Sequence, residues 1–200
     1  MAPMVRAGGR ADRRVAAAVL GRAFQVEPVY EWLLPDPAQR RRWLPVLIRS
    51  NLSYLHRGPG SFEVATVDGR LVGAAIWDGP SHRGAGPLRR LQAWPGRFRA
   101  VGGRLGRLVQ VAAALAAVRP SEPHWYLDHL GADPEEPRCG AGSALLAAGL
   151  ARADTEGVGA YLECKPANVA YYRRSGFELR DEVVVDPGRL TVLTMWRPPR

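Results

Sequence analysis

A run of small residues between a predicted strand and a predicted helix constrains the fold of this chain most strongly. Residues 124–132 (HWYLDHLGA) have the composition of a strand, and residues 138–157 (RCGAGSALLAAGLARADTEG) read as a helix from Ser143 onward. Gly140 and Gly142 carry no side chain, so a bulky anion can approach the first amides of this helix closely. The order of strand, loop, glycine pair and helix predicts a binding site for phosphate groups.

The spacing of these glycines excludes two common nucleotide-binding motifs. A P-loop needs Gly, four residues and then Gly-Lys-Ser/Thr, and no Lys follows either glycine. A dinucleotide fingerprint needs a third glycine three residues beyond the second, where this chain has Leu145. The small-residue run therefore belongs to another class of phosphate-binding loop.

Three segments in the same order resemble the GNAT superfamily of N-acetyltransferases. Residues 137–142 (PRCGAG) resemble its acyl-CoA loop, in which Gln or Arg is followed by two residues, Gly, one residue and Gly or Ala. Residues 164–179 (CKPANVAYYRRSGFEL) are similar to its second hallmark, an Asn after the fifth strand, a Tyr on a short helix and a Gly-Phe pair. Residues 64–77 (VATVDGRLVGAAIW) form an Asp-Gly hairpin like its second and third strands. The resemblance covers nearly the whole chain except residues 80–122.

This resemblance implies a mixed α/β (α+β) fold, with a central twisted mixed sheet of six to seven strands flanked by helices. We expect one domain over residues 1–200, since no segment reads as a flexible linker and a chain of this length buries about 70% of its unfolded surface. Residues 80–122 are expected to form a helical insertion. Its apolar spacing predicts helices over residues 87–94 and 97–118.

The N-terminal third predicts a short strand and two helices. Val5 and Arg6 open the strand, Asp12 caps the first helix, and Asp36 caps the second. Pro45 is expected to kink the second helix. Residues 26–36 between the helices are predicted to form a loop, and in the superfamily this region lines the acceptor pocket.

The positive charge of the chain does not by itself indicate a nucleic-acid-binding protein. The formal net charge of +9 comes almost wholly from arginine, with Lys165 as the single lysine. The arginines are spread over the chain without a helix-turn-helix, zinc-finger or aromatic-basic RNA motif. Basic domains do bind phosphate backbones by counterion release, so nucleic-acid binding stays a third hypothesis, but we expect no nucleic-acid partner.

Cysteine usage and apolar runs predict a cytoplasmic protein without metal or membrane contact. Cys139 and Cys164 have no metal-ligand spacing with the four histidines, which favours a reduced cytoplasm and no metal site. The longest uncharged apolar runs, at residues 15–21 and 109–118, are shorter than the roughly 20 residues that span a bilayer. We expect a monomer or a homodimer.

The resemblance implies that acetyl-CoA is the co-substrate and that the acceptor is a small-molecule or peptide amine. In the superfamily the fourth strand splays from the fifth, which frees backbone groups for the pantetheine arm and the acetyl carbonyl. One departure is Pro137, which replaces the usual Gln or Arg and has no amide hydrogen. Residues expected to bind the cofactor are Leu130, Gly131, Ala132, Arg138, Cys139, Gly140, Ala141, Gly142, Ser143, Asn168 and Tyr172.

Acetyl transfer also needs an acid and a base. By the resemblance, the Tyr172 hydroxyl protonates or hydrogen-bonds the leaving thiolate. Strand alternation places Asp128 on the face of Leu130, close to the expected carbonyl site, which makes it the first candidate for the base. An ion pair with one of the arginines is the alternative role for Asp128, and Glu163 and Glu31 are rival bases.

The acceptor pocket is predicted to contain Glu31, Trp32, Trp77 and Glu163. The resemblance implies an N-acetyltransferase that moves the acetyl group directly to a primary amine. A non-catalytic acyl-CoA-binding module on the same fold is the alternative hypothesis.

Overall fold

The computed structural model describes residues 2–56, 60–81, 87–136 and 139–200. Seven strands and seven α-helices lie in these ranges, and two short 3₁₀ turns, Gly102–Arg104 and Pro166–Asn168, precede α5 and α7. In chain order the elements are β1 (Met4–Ala7), α1 (Arg13–Ala23), α2 (Pro28–Leu33), α3 (Pro37–Tyr54), β2 (Phe62–Val67), β3 (Arg70–Asp78), α4 (Pro87–Val101), α5 (Leu105–Val118), β4 (His124–Ala132), α6 (Ala141–Thr155), β5 (Gly159–Cys164), α7 (Val169–Arg173), β6 (Glu178–Asp186) and β7 (Leu190–Arg197).

The strands form one sheet in the order β1-β2-β3-β4-β5-β7-β6. Neighbouring strands are antiparallel except for the central pair, β4 and β5, which is parallel. Helices cover both faces, because one buried cluster packs α6 against the sheet and a second packs α1 and α3 against it. The predicted mixed sheet of six to seven strands flanked by helices is confirmed.

Strands β4 and β5 separate halfway along β4. Their pairing runs from His124 opposite Gly159 to Leu127 opposite Leu162 and stops there. Beyond Leu127, β4 continues to Ala132 while paired only with β3. The backbone edge of β4 that faces β5 is therefore open over its last five residues.

A β-bulge in β4 lies at the point where the two strands separate. Ile76 of β3 is opposite His129, whereas the next residue, Trp77, is opposite Leu127, so Asp128 is the extra residue. Strict alternation would place neighbouring side chains on opposite faces, but the bulge brings His129 next to Asp128, with His129 Nδ1 2.6 Å from Asp128 Oδ2. After the bulge, Leu130 packs with Leu127 in the cluster beneath α6, so the shared face that supported Asp128 as a base does not exist.

The N-terminal helices begin where the sequence predicts. Helix α3 begins after Asp36, whose Oδ1 accepts a hydrogen bond of 2.9 Å from the Ala38 amide. Helix α1 begins after Asp12, but the predicted side-chain cap is wrong, since Asp12 Oδ2 accepts from the Gly9 amide before the helix. Helix α3 continues through Pro45. The predicted loop at residues 26–36 instead contains the short helix α2.

The insertion divides at a different place from the one predicted. Helix α4 runs through Pro95, where a break was expected, and ends before Gly102, whose φ of +53° turns the chain out of the helix. By length and composition, the helical stretch Leu91–Val118 is apolar enough to cross a membrane, which the shorter uncharged runs did not reveal. The absence of membrane contact therefore stays a prediction.

The contact between α6 and the sheet sets the position of the glycine pair. A Cβ atom on Gly149 of α6 would lie 2.3 Å from the Trp77 ring, which is completely buried. We expect Gly149→Ala to lower the free energy of unfolding by about 1–3 kcal/mol, because overpacking forces side chains or backbone to shift. Urea denaturation measures this change.

Gly106→Ala on α5 is the matched control. A Cβ atom at Gly106 meets no heavy atom within 4 Å, so this substitution should raise the free energy of unfolding by up to about 1 kcal/mol through helix propensity alone. An equal gain from Gly149→Ala would show that α6 does not sit tightly on the sheet.

Candidate active site

The glycine pair forms a cradle at the N-terminus of α6. Gly140 precedes the helix with a φ of +75°, a conformation that L side chains rarely adopt, and a Cβ atom there would meet nothing within 4 Å. Helix α6 has fifteen residues, and its first amides have no partner within the helix. This arrangement exposes backbone donors and the positive end of the helix dipole to an anion.

A cavity of about 430 Å³, here called the cradle cavity, lies between the cradle, the end of β4 and α7. The expected cofactor residues that the structure describes all line it, whereas Arg138 lies outside the described residues. They are Leu130, Gly131, Ala132, Cys139, Gly140, Ala141, Gly142, Ser143, Asn168 and Tyr172. The structure thus brings together residues from four separate segments of the chain.

The chemistry of the cradle cavity fits coenzyme A. The Tyr171 hydroxyl is buried, has no hydrogen-bond partner among the described residues, and lies 3.5 Å from where a Cβ on Gly142 would be. The open edge of β4 supplies unpaired backbone groups that suit the amides of a pantetheine arm. Small residues and backbone donors suit the pyrophosphate of coenzyme A, and a free hydroxyl can bind a polar group of its pantetheine arm.

A second cavity of about 160 Å³, the central cavity, lies where β4 and β5 separate. It shares Leu130, Asn168 and Tyr172 with the cradle cavity. Asp128 and Glu163, the first residues of β4 and β5 beyond their pairing, both line it. Two carboxylates and a tyrosine therefore meet next to the cradle.

A third cavity of about 670 Å³, the outer cavity, adjoins the central one. The two cavities share Tyr126 and Asp128. The end of α3, the residues after β3, and the insertion helices supply the other walls. The central cavity thus shares lining residues with each of the other two cavities.

A hydrogen-bond network of five polar side chains runs between the outer and central cavities. His56 lies between two carboxylates, with Nδ1 2.8 Å from Asp78 Oδ1 and Nε2 3.2 Å from Asp128 Oδ2. His129 continues the chain, with Nδ1 2.6 Å from Asp128 and Nε2 2.6 Å from the Tyr30 hydroxyl. The chain reaches from the outer cavity to the central cavity.

Neighbouring opposite charges determine the protonation states of His56 and Asp128 in this hydrogen-bond network. Burial by itself lowers the pKa of His56, but the carboxylates of Asp128 and Asp78 outweigh it and raise the pKa to about 10. Burial raises the pKa of Asp128, yet His129 and His56 outweigh burial and hold it well below its usual range. Asp128 is therefore an ionised carboxylate with little tendency to take up a proton.

The pKa of Glu163 is shifted in the opposite direction from that of Asp128. Burial raises its pKa to about 7, although the Tyr126 hydroxyl, which donates a hydrogen bond of 2.5 Å to Oε2, and the Arg119 guanidinium both lower it. Oε1 has no hydrogen-bond partner among the described residues and lies 3.7 Å from Arg119 Nη2. A carboxyl with this pKa exchanges a proton near neutral pH.

Three residues predicted for the acceptor pocket lie elsewhere. Trp77 is completely buried under α6, and Trp32 packs between α5 and β6, where Nε1 donates to Asp186 Oδ2 at 2.8 Å. The exposed Glu31 carboxylate lies 3.7 Å from Arg40. None of the three lines the cradle, central or outer cavity, whereas Glu163 does. A tryptophan in a strand pattern indicates burial as readily as ligand contact.

The sequence analysis missed several residues of the site. His56, Asp78 and Tyr30 lie 22 to 99 positions from their hydrogen-bond partners, so no local pattern joins them. Tyr126 lies on the analysed strand, and its partner Glu163 was considered only as a separate candidate.

Comparisons with known proteins agree with this geometry. A sequence profile described as the Acetyltransferase (GNAT) family matches residues 26–177. A Corynebacterium glutamicum structure described as histone acetyltransferase HPA2 and related acetyltransferase is 28% identical, with a TM-score of 0.76, over 100% of this chain and 98% of that one.

More distant structures share the fold. The Drosophila melanogaster polyamine N-acetyltransferase, which forms N-acetylagmatine, is 18% identical with a TM-score of 0.63 over 97% of this chain and 98% of its own. The PaiA N-acetyltransferase of Thermoplasma acidophilum, solved with coenzyme A, is 13% identical with a TM-score of 0.54 over 99% of each chain.

The profile covers more than half of the chain and includes the whole of β4, the cradle and α7. The topology of the sheet and the separation of its central parallel strands agree with the resemblance found in the sequence. This chain belongs to the GNAT acetyltransferase family and is an acyltransferase.

Proposed function

We propose that this enzyme transfers the acetyl group of acetyl-CoA to a primary amine. The observation that carries the proposal is the central cavity, where Glu163 and Tyr172 lie between the cradle cavity and the outer cavity. A donor in the cradle and an acceptor in the outer cavity would meet at these two side chains. Holding both reactants in one site supplies much of the rate enhancement of such a transfer.

The cradle binds the donor in this proposal. The first amides of α6 hold the pyrophosphate, and the open edge of β4 from Leu130 to Ala132 binds the pantetheine arm. When bound, acetyl-CoA supplies an acetyl group activated as a thioester. Asn168 and the Tyr171 hydroxyl close the other side of the cradle cavity.

Glu163 is the general base. The amine binds as an ammonium ion and gives a proton to the Glu163 carboxylate, which frees the nitrogen lone pair to form the new C–N bond. As this bond forms, the C–S bond breaks and its electrons remain on the sulfur. Glu163 suits this role better than Asp128, because its pKa of about 7 lies near the working pH whereas that of Asp128 lies well below its usual range.

Tyr172 is the general acid. Burial raises the pKa of its hydroxyl, so the proton is present at neutral pH and can be donated to the sulfur as the C–S bond breaks. Tyr172 lines both the cradle and central cavities, where the thiol of the cofactor would lie. The nitrogen loses two protons on the way from ammonium ion to amide: the first goes to Glu163, and the second restores the proton that Tyr172 gives to the sulfur, so one proton is released overall.

Asp128 is a positioning residue. Its carboxylate binds His56 and His129, which ties the end of α3 to the bulge of β4 at the boundary of the outer cavity. The ionised carboxylate also adds negative potential where an ammonium ion would enter.

A larger side chain in the cradle tests whether the cradle binds the donor. Gly142→Val places a branched side chain where phosphate oxygens would approach, and a Cβ there makes only an ordinary contact of 3.5 Å with Tyr171. We expect calorimetry to show coenzyme A binding weakened about 10- to 100-fold, since loss of a charge-assisted hydrogen bond costs about 1.5–3 kcal/mol. The melting curve should stay normal.

Gly106→Val is the control for this substitution, because that glycine lies on α5 with open space around it. Unchanged affinity of Gly142→Val for coenzyme A, with a normal melting curve, would contradict the assignment of the cradle.

The pH dependence of turnover tests Glu163. A base must be ionised to act, so kcat/KM of the wild type should rise with pH through an inflection near 7. Glu163→Gln should lower kcat by about 10²- to 10⁴-fold and remove this inflection. Release of the coenzyme A thiol, measured across pH with a panel of primary amines, records both effects.

Glu178→Gln on the exposed face of β6 is the matched control and should keep the wild-type profile. If Glu163→Gln retained the inflection near 7, another group would be the base.

A substitution of Tyr172 tests its role in protonating the leaving thiolate. Tyr172→Phe removes a hydroxyl that acts mainly in the transition state, so kcat should fall by about 10²- to 10⁴-fold with little change in the KM for acetyl-CoA. Tyr54→Phe on α3, outside the three cavities, should turn over normally. A wild-type rate for Tyr172→Phe would assign thiolate protonation to water or to the backbone.

A further inference from the structure

The outer cavity is lined by charged side chains of both signs. The sheet side supplies two carboxylates, Asp78 at the end of β3 and Asp128 at the bulge of β4. The insertion and the residues directly after it supply two guanidinium groups, Arg97 on α4 and Arg119 after α5, together with one carboxylate, Glu122. A cavity built for a purely cationic acceptor would not place two arginines on one wall.

The carboxylate wall keeps a net negative charge. His56 bridges Asp78 and Asp128, and their carboxylates keep it protonated. The three groups together therefore carry one negative charge. Its negative potential favours an ammonium group in the adjoining central cavity, which Asp128 lines together with Glu163.

The Arg119 guanidinium lies close to the proposed reaction centre. Its Cζ is 3.9 Å from the centroid of the Tyr126 ring, and Tyr126 lines both the outer and central cavities. Nη2 is 3.7 Å from Glu163 Oε1, which is too long for a hydrogen bond, so this contact does not use its donors. The planar guanidinium has five N–H donors and matches a carboxylate in two parallel hydrogen bonds.

We propose that the acceptor is a short amino carboxylate, whose ammonium group lies at Glu163 and whose carboxylate binds Arg119, with Arg97 adding positive charge on the same wall. This inference rests on the proposed acetyl transfer and names its substrate class. Because Arg119 and Glu163 are 3.7 Å apart, the two charged ends of the acceptor are separated by few atoms.

The same geometry assigns a role to the insertion. Arg119 lies directly after α5, and Arg97 lies on α4, so the insertion provides the wall that reads the anionic end of the acceptor. A diamine would bring a second cation against both arginines and lose affinity by repulsion. The insertion thus selects acceptors by charge.

Matched acceptors test this inference. Thiol release from acetyl-CoA is measured with 3-aminopropanoate, 3-aminopropanamide and 1,3-diaminopropane, and with alanine and alaninamide. We expect kcat/KM for the better carboxylate to exceed that of its amide by about 10- to 100-fold, the factor for a charge-assisted hydrogen bond. Equal or better use of the amide or the diamine by the wild type would overturn the inference.

Arg119→Gln separates recognition from catalysis. Loss of this charge also changes the surroundings of Glu163, but that effect acts on every acceptor and cancels in the ratio of carboxylate to amide. The ratio should fall to near one in Arg119→Gln, be intermediate in Arg119→Lys, and stay at the wild-type value in Arg104→Gln, an arginine of the insertion outside the outer cavity. A wild-type ratio in Arg119→Gln would overturn the inference.

Measurement of acceptor binding tests the inference even if no amine is acetylated. Absence of thiol release with every amine would count against the proposed function, and calorimetry of the same acceptors with the coenzyme A complex would then decide the inference alone. Binding of an amino carboxylate that is lost in Arg119→Gln supports it. Equal binding of the amide, or no binding of either amino carboxylate, contradicts it.

Discussion

The loss of backbone pairing between β4 and β5 is the constraint on which the site depends. The two strands pair only as far as Leu127 and Leu162, and beyond this point β4 keeps a partner on one side alone. A buried strand edge without partners costs free energy unless a ligand satisfies its groups. The opening therefore creates both a hydrogen-bonding edge for a donor molecule and a gap in which Asp128 and Glu163 face the same space.

The two carboxylates at this gap differ because their neighbours differ. Asp128 is held by two histidines, so its negative charge is compensated and its pKa is low. Glu163 is more deeply enclosed, accepts a hydrogen bond from a neutral tyrosine hydroxyl and is 3.7 Å from Arg119, so burial prevails and its pKa rises to about 7. Two similar side chains thus take different roles, one fixed as an anion and one able to exchange a proton.

The family and the residues that line the cradle cavity could be predicted because their signals are local. The cradle needs small residues at adjacent positions and a helix directly after them, and both conditions are visible within residues 138–157. The order of the strands follows from the resemblance, because the matching segments occur in the same order along the chain. The bulge at Asp128 was missed, because a single extra residue leaves the composition of a strand unchanged but reverses the alternation beyond it.

The amino-acid sequence is sufficient to indicate the strand, glycine pair and helix of the cradle, the helix starts after Asp12 and Asp36, and the residues that line the cradle cavity. These features depend on neighbours within a few positions of the chain. The polar chain through His56, the pairing of Tyr126 with Glu163 and the arrival of the insertion at the outer cavity became apparent only in the folded chain. Each joins distant segments, and the protonation of a buried group depends on burial and on charges that packing alone brings near.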